Sequence, residues 1–310
     1  MSRSPTTTAP PAVAEPFEAL RTDLPEAILG FARDRMAQGQ PCALVTLTGI
    51  IDGAARALGA HMAVAGDGGY CGYISGGCVE AAVAREALLA IAGGEDRILH
   101  LGKGSEIFDI VLPCRGGIVL SIHVLRDAAP LGAVLAALTR REAAALVHEP
   151  GQALAMRAGP AATGPEGRRF VTAYQPALRV RLLGQGIEAR AFLAIARAAG
   201  IETGEVAPRQ PPDPATLDPR TAVVLLQHDI DRELPLLRAA LASRAFYIGC
   251  LGSKRTHEQR RAALLADGWS DSDLRRIRAP VGLFGPARDA RAIAVSVLAE
   301  ILSLSQPEPA

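Results

Sequence analysis

The chain has 310 residues and a formal net charge of +1, from 33 Lys and Arg against 32 Asp and Glu, with 49% hydrophobic and only 4% aromatic residues. Near neutrality gives no electrostatic bias toward nucleic acid or anionic lipid, and so few aromatic rings argue against a base-stacking surface. The length suggests about two domains of roughly 150 residues, and no apolar run approaches the roughly 18 residues a membrane-spanning helix needs.

Residues 1–16, rich in Pro, Thr and Ala, lack the apolar stretch of a signal peptide and read as a disordered lead. A cytoplasmic protein is expected, with its five cysteines (Cys42, Cys71, Cys78, Cys114, Cys250) reduced. None forms a Cys-x-x-Cys pair, which argues against a structural zinc site. A first helix should start after Asp23, a candidate N-cap followed by Pro25 and Glu26, and stop at Gly39. The β-branched run 43–48 reads as a buried strand with 61–65 as its neighbour. A helix over 79–92 ends at Gly93-Gly94. The runs 106–112 and 118–125, separated by Pro-Cys-Arg-Gly-Gly, suggest a hairpin. These elements make an N-terminal α/β domain over 17–127. Residues 128–177 read as a connecting region with a helix near 131–141 and a small sheet.

A stronger pattern starts at Leu178. A strand enters the turn Gly184-x-Gly186-x-x-Ala189, which opens an Ala-rich helix ending at Gly200. Strand candidates at 222–226 and 246–250 are each followed by a helical pattern, and 290–304 is a closing amphipathic helix. This alternation predicts a Rossmann-like, doubly wound parallel sheet over 178–305.

Two cysteines stand out chemically. A helix starting just after Gly77 would put Cys78 in its first turn, where unpaired backbone N–H groups and the helix dipole favour a thiolate or a bound anion. Gly76 and Gly77 would let a ligand approach, and Ser75 is placed to cap. The competing reading makes Cys78 a small core hydrophobe at a helix-entry turn. Cys114 lies in the expected hairpin turn beside Arg115, Gly116 and Gly117, and the neighbouring cation would lower its pKa. Cys42 and Cys71 are weaker candidates, and Cys250 in an apolar strand should be buried.

The stretches 46–64, 72–80 (Gly-Tyr-Ile-Ser-Gly-Gly-Cys-Val-Glu) and 112–117 (Leu-Pro-Cys-Arg-Gly-Gly) resemble the N-terminal domain of the XdhC/CoxI family. In the second half, 227–231, 247–255, 280–283 and 293–300 resemble that family's Rossmann domain. The order and spacing agree from about residue 40 to 304. The resemblance implies a chaperone that holds the pterin-based molybdenum cofactor, in molybdopterin or dinucleotide form, while a cysteine desulfurase sulfurates it. It implies delivery to an apo molybdenum hydroxylase such as xanthine dehydrogenase, and a homodimer. Under that reading Ser75, Gly76, Gly77 and Cys78 line the cofactor site, Cys114, Gly116 and Gly117 complete it, and Arg56 adds a cation. Cys78 and Cys114 become candidate ligands of the molybdenum.

The second half departs from the family pattern. Ile187 stands where the family has His, and Ala207 where an acidic residue would bind a ribose hydroxyl, with Glu205 two residues earlier. This disfavours NAD(P), and with it the rival reading of a nicotinamide-dependent oxidoreductase, while leaving a phosphate or nucleotide-tail site at Gly184, Gly186 and Ala189. His228 and Asp229 follow a buried strand, and Gly252, Ser253 and Lys254 follow the next, both at the sheet edge where open α/β folds bind ligands.

Overall fold

The computed structural model describes residues 13–77, 79–103, 116–207, 210–285 and 287–305. It divides into two units, 1–175 and 176–310.

In the first unit, β1 (Phe17–Leu20) leads to α1 (Pro25–Ala37), β2 (Cys42–Ile51), β3 (His61–Ala65), β4 (Gly69–Gly72), α2 (Glu80–Gly93), β5 (Arg97–Gly102) and β6 (Gly117–Val124). The strands form one sheet in the order β1-β4-β3-β2-β6-β5, antiparallel except for β1 on β4. Alternation along the strands sends Ala43, Val45, Leu47, Met62, Val64, Ile118, Leu120 and Ile122 to the face covered by α2. Cys42, Leu44, Ala63 and Ala65 go to the opposite face, under α1.

Segment 128–177 holds α3 (Ala129–Thr139) and a four-stranded antiparallel sheet, β8-β7-β10-β9, of β7 (Ala144–His148), β8 (Ala155–Ala158), β9 (Gly164–Glu166) and β10 (Arg169–Tyr174). Leu131, Val134, Ala144, Leu146 and Tyr174 share a core with Ile28, Leu29, Leu44 and Ala63, so this segment is packed into the first unit.

Three details differ from expectation. Leu24, not Asp23, caps α1, and no side chain serves the cap, because Asp23 instead accepts from Arg56 Nη1 at 3.1 Å. The partner of β6 is β5, which pairs from Arg97↔Ile122 to Gly102↔Gly117 while β2 occupies the other edge. The expected partner run, 106–112, falls outside the described residues. Both β1 and β4 went unread because Gly-Tyr-Cys-Gly and Phe-Glu-Ala-Leu are too short for a periodic signal.

In the second unit, β11 (Arg179–Leu183), α4 (Ile187–Ala198), β12 (Glu202–Glu205), a 3-10 turn (Pro214–Thr216), β13 (Thr221–Leu225), α5 (Ile230–Leu241), β14 (Tyr247–Cys250), α6 (Lys254–Ala266), α7 (Asp271–Leu274), β15 (Ile277–Arg278) and α8 (Ala290–Ser305) follow in turn. The sheet is wholly parallel in the order β12-β11-β13-β14-β15. One face buries Val180, Leu182, Ala222 and Val224 against Phe192 of α4 and Val297 of α8. The other buries Val223, Leu225 and Ile248 against Leu236 and Leu237 of α5 and Leu264 of α6. The sheet is doubly wound, with its strand order reversing between β11 and β13. Among the described residues no helix is long and apolar enough to cross a membrane.

Candidate functional site

Antiparallel pairing decides which loops of the first unit meet. The end of β2, the start of β3, the end of β4, the end of β5 and the start of β6 all lie at one edge of the sheet. Loop 52–60 with Arg56, the stretch 73–77 with Ser75, Gly76 and Gly77, and the residues Lys103 and Gly116 therefore lie at the same edge, where α1 and α2 also begin. Segments far apart in sequence become neighbours there.

The side chains divide into two sets. Gly76 and Gly77 are exposed, with nothing within 4 Å of where a Cβ would stand, and Gly77 has φ +99°, a conformation that favours glycine. Arg56 is partly exposed and paired with Asp23; both border a cavity of about 360 Å³ that His61 also lines. Gly116 and Gly117, in contrast, are buried against backbone: a Cβ on Gly116 would lie 2.2 Å from the Gly53 carbonyl oxygen, and one on Gly117 2.1 Å from that of Lys103. Close chain packing accounts for both glycines. Cys78 and Cys114 lie outside the described residues.

Ser75 does not cap α2. The helix starts at Glu80, its N-cap is Val79, and no side chain serves the cap. Instead the buried Glu80 carboxylate folds back to accept from Ser75 N at 2.9 Å, Ser75 Oγ at 3.0 Å and Val79 N at 3.1 Å. The attraction of this helix start for negative charge is met from within by Glu80. That leaves the glycine backbone at 76 and 77 and the Arg56 cation as the features open to an incoming group. Sequence reading missed Glu80 because its partner sits five residues back, outside the Ser-x-x-Glu spacing of a capping box.

Cys250 is buried in its strand as the sequence suggested, whereas Cys42 opens β2 and Cys71 lies within β4, not before a strand or in a loop. Cys42, Cys71 and Cys250 are free and buried, and burial pushes their thiols up to about 11, 12 and 12. His61, also missed, is buried between Thr46 Oγ1 at 3.1 Å and Tyr174 OH at 2.5 Å. Desolvation lowers its imidazole to about 4.

In the second unit a cavity of about 400 Å³ opens at the strand-order reversal, lined by Gly184, Gln185, Gly186, Glu188, Val206, Gln227, His228, Asp229 and Arg232 among others. Gly184 must be glycine, since a Cβ would lie 2.5 Å from the Leu226 carbonyl oxygen, and Ala189 is buried as the small residue on which α4 closes against β11. Gly186 caps α4 without a side chain, and the Glu188 carboxylate stands over it, with Oε2 2.9 Å from where a Cβ would be. A carboxylate in that position repels a pyrophosphate, which the helix start would otherwise attract. His228 is exposed, and Asp229 caps α5 while pairing with Arg232. Glu205, the last residue of β12, is turned toward Arg197 of α4, at 3.7 Å, and Val206 rather than Glu205 lines the cavity. Gly252, Ser253 and Lys254 lie beyond β14 and do not border the cavity; Ser253 caps α6 through Thr256 N.

Fold and site together describe a two-unit α/β protein. One unit presents a cluster of glycine-bearing loops, and the other a parallel sheet with a crevice at its reversal point. The chain belongs to the XdhC and CoxI family: that family's model matches residues 35–102, and the XdhC Rossmann domain model matches 180–301. It is 45% identical over 291 residues to the molybdenum cofactor insertion chaperone PaoD of Escherichia coli (strain K12), covering 94% of this chain and 92% of that one. The solved structure of a xanthine dehydrogenase from Bacillus halodurans shares the fold, with a TM-score of 0.66 at 19% identity over 89% of this chain and 95% of that one.

Proposed function

We propose that this protein is a molybdenum cofactor insertion chaperone, which binds the cofactor and hands it to an apo molybdenum enzyme. The observation that carries the reading is near full-length identity of 45% to PaoD, a relative of that function. The loop cluster of the first unit supports it structurally. Gly76 and Gly77 offer exposed backbone, Arg56 offers a cation, and the family match spans all of them together with Cys78. These residues suit an anionic pterin ligand in part: the start of α2 itself is taken by Glu80, so the anionic tail would be met by Arg56 and open backbone. When bound, the cofactor supplies a metal for which thiolates are fitting ligands, and Cys78 and Cys114 are the thiols assigned to it. Within this reading a cysteine desulfurase and a second copy of the chain are the further partners. Glu188 at the start of α4 disfavours NAD(P), and any other pyrophosphate-linked nucleotide, in the crevice of the second unit.

Anaerobic titration with molybdenum cofactor, read by bound molybdenum and pterin fluorescence, tests the proposal. Saturable binding is expected, weakened about tenfold or more by Cys78→Ala, by Cys114→Ala and by Arg56→Ala. Absence of binding in the wild type would overturn the chaperone reading, and thermal protection by NADH in its place would favour the oxidoreductase. Undiminished binding in a cysteine variant would remove that thiol from the site.

A further inference from the structure

Away from the loop cluster, the first unit gathers three side chains that the reading above does not use. Asp96 precedes β5, His123 lies near the end of β6 and His148 ends β7. One ligand atom from each can be chosen so that all three lie within 4.8 Å of one another. His123 Nδ1 is 2.9 Å from Asp96 Oδ2, and His148 Nε2 is 3.9 Å from the same oxygen, with side-chain exposures of 3% for His123 and 8% for the other two. The two rings meet edge to face with centroids 4.7 Å apart.

The surroundings hold these groups in place. Asp96 Oδ1 accepts from Val124 N at 3.0 Å and Arg126 Nη1 at 3.4 Å, and Oδ2 accepts from Gly151 N at 2.9 Å. His148 Nδ1 lies 3.3 Å from Ser121 Oγ, which turns its Nε2 toward Asp96. Yet His148 Nε2, the ring nitrogen turned toward Asp96, is buried without a hydrogen-bond partner. Buried polar atoms are nearly always paired, so an orphaned imidazole nitrogen facing a carboxylate and a second imidazole calls for a missing partner.

We propose that Asp96, His123 and His148 form a binding site for a divalent transition cation, of which Zn2+ is the fitting member. Two imidazoles and a carboxylate are ligands of that ion, bound at about 2.0–2.2 Å, which places tetrahedral donors roughly 3.3 Å apart. The observed 2.9 Å and 3.9 Å bracket that spacing. Ser121, Gly151 and Val124 supply the orienting contacts that metal-bound His and Asp ordinarily have. The site revises the expectation drawn from the missing Cys-x-x-Cys pair, since it uses no thiol. It lies about 20 Å along β6 from Gly117, so it is independent of the cofactor site. Its role is to tie β6 of the first sheet to β7 of the second.

The test is titration of the chelator-stripped full-length protein with Co2+ and then Zn2+, following visible d–d absorption and the thermal midpoint. Equimolar cobalt uptake without thiolate charge transfer, displacement by zinc and a raised midpoint are expected. His148→Gln should lower affinity by about a hundredfold and Ser121→Ala by about tenfold. If His148→Gln fails to fold, the wild-type spectrum and Ser121→Ala decide. Absence of a cobalt band, a band with thiolate charge transfer only, or affinity unchanged in the folded variants would overturn the proposal.

Discussion

At the residue scale, the groups that matter most to stability are polar ones in dry places. Glu80 answers three donors at the start of α2, so Glu80→Gln, which turns an amide donor toward some of them, should cost about 1.5–3 kcal/mol by urea unfolding. Arg260 and Glu233 form an ion pair with both side chains 0% exposed, at 2.5 Å and 3.0 Å. Arg260→Met strands a buried carboxylate and should cost about 3–5 kcal/mol, most of it recovered by adding Glu233→Leu. Denaturation curves of the single and double variants check this. The raised thiols of Cys42, Cys71 and Cys250 should resist a maleimide in the folded protein and react on unfolding; mass spectrometry of labelled peptides reads the outcome. Cys250 could be read as buried from its apolar strand. Glu80 and Arg260 could not be read, because nothing local distinguishes them from exposed helix charges.

At the scale of elements, strands and turns with a periodic pattern were legible and short ones were not. The strand that enters Gly184 and the helix that leaves Gly186 were read correctly, because hydrophobic period and glycine spacing agree there. Gly184→Ala would drive a methyl into the Leu226 carbonyl and should cost about 1–3 kcal/mol, measurable as a lowered thermal midpoint. The pairing of β6 with β5 was missed because register between strands depends on which partner the rest of the sheet leaves free. The contact of β3 with β10 through His61 and Tyr174 has a consequence for pH. His61 resists protonation in the folded chain until about pH 4, whereas the unfolded chain takes up that proton near pH 6.5. Stability from this group is therefore full above about pH 6.5 and is lost as pH falls toward 4, by about 3 kcal/mol. Unfolding midpoints across that window, compared with those of His61→Phe, should show the difference.

At the scale of the whole molecule, each unit has its own core. A fragment of residues 176–310 should therefore unfold cooperatively by itself, with far-ultraviolet circular dichroism as the check; a non-cooperative melt would show that it depends on the first unit. The sequence by itself determined the α/β class, the parallel doubly wound sheet, the Gly184 turn and the burial of Cys250. Each of these rests on period, glycine placement or apolar composition within a short span, which chain geometry converts directly into local structure. Only the tertiary structure decided that loop 52–60, Gly76, Gly77, Lys103 and Gly116 share one edge, that Glu80 answers the start of α2, and that Glu188 stands in the crevice. It alone brought Asp96, His123 and His148 together. The shared edge and the Asp96, His123 and His148 cluster join residues tens of positions apart through sheet pairing, and no local pattern encodes which strand will lie beside which; Glu80 and Glu188 act within five residues, but the direction in which each carboxylate folds is set by packing and not by spacing.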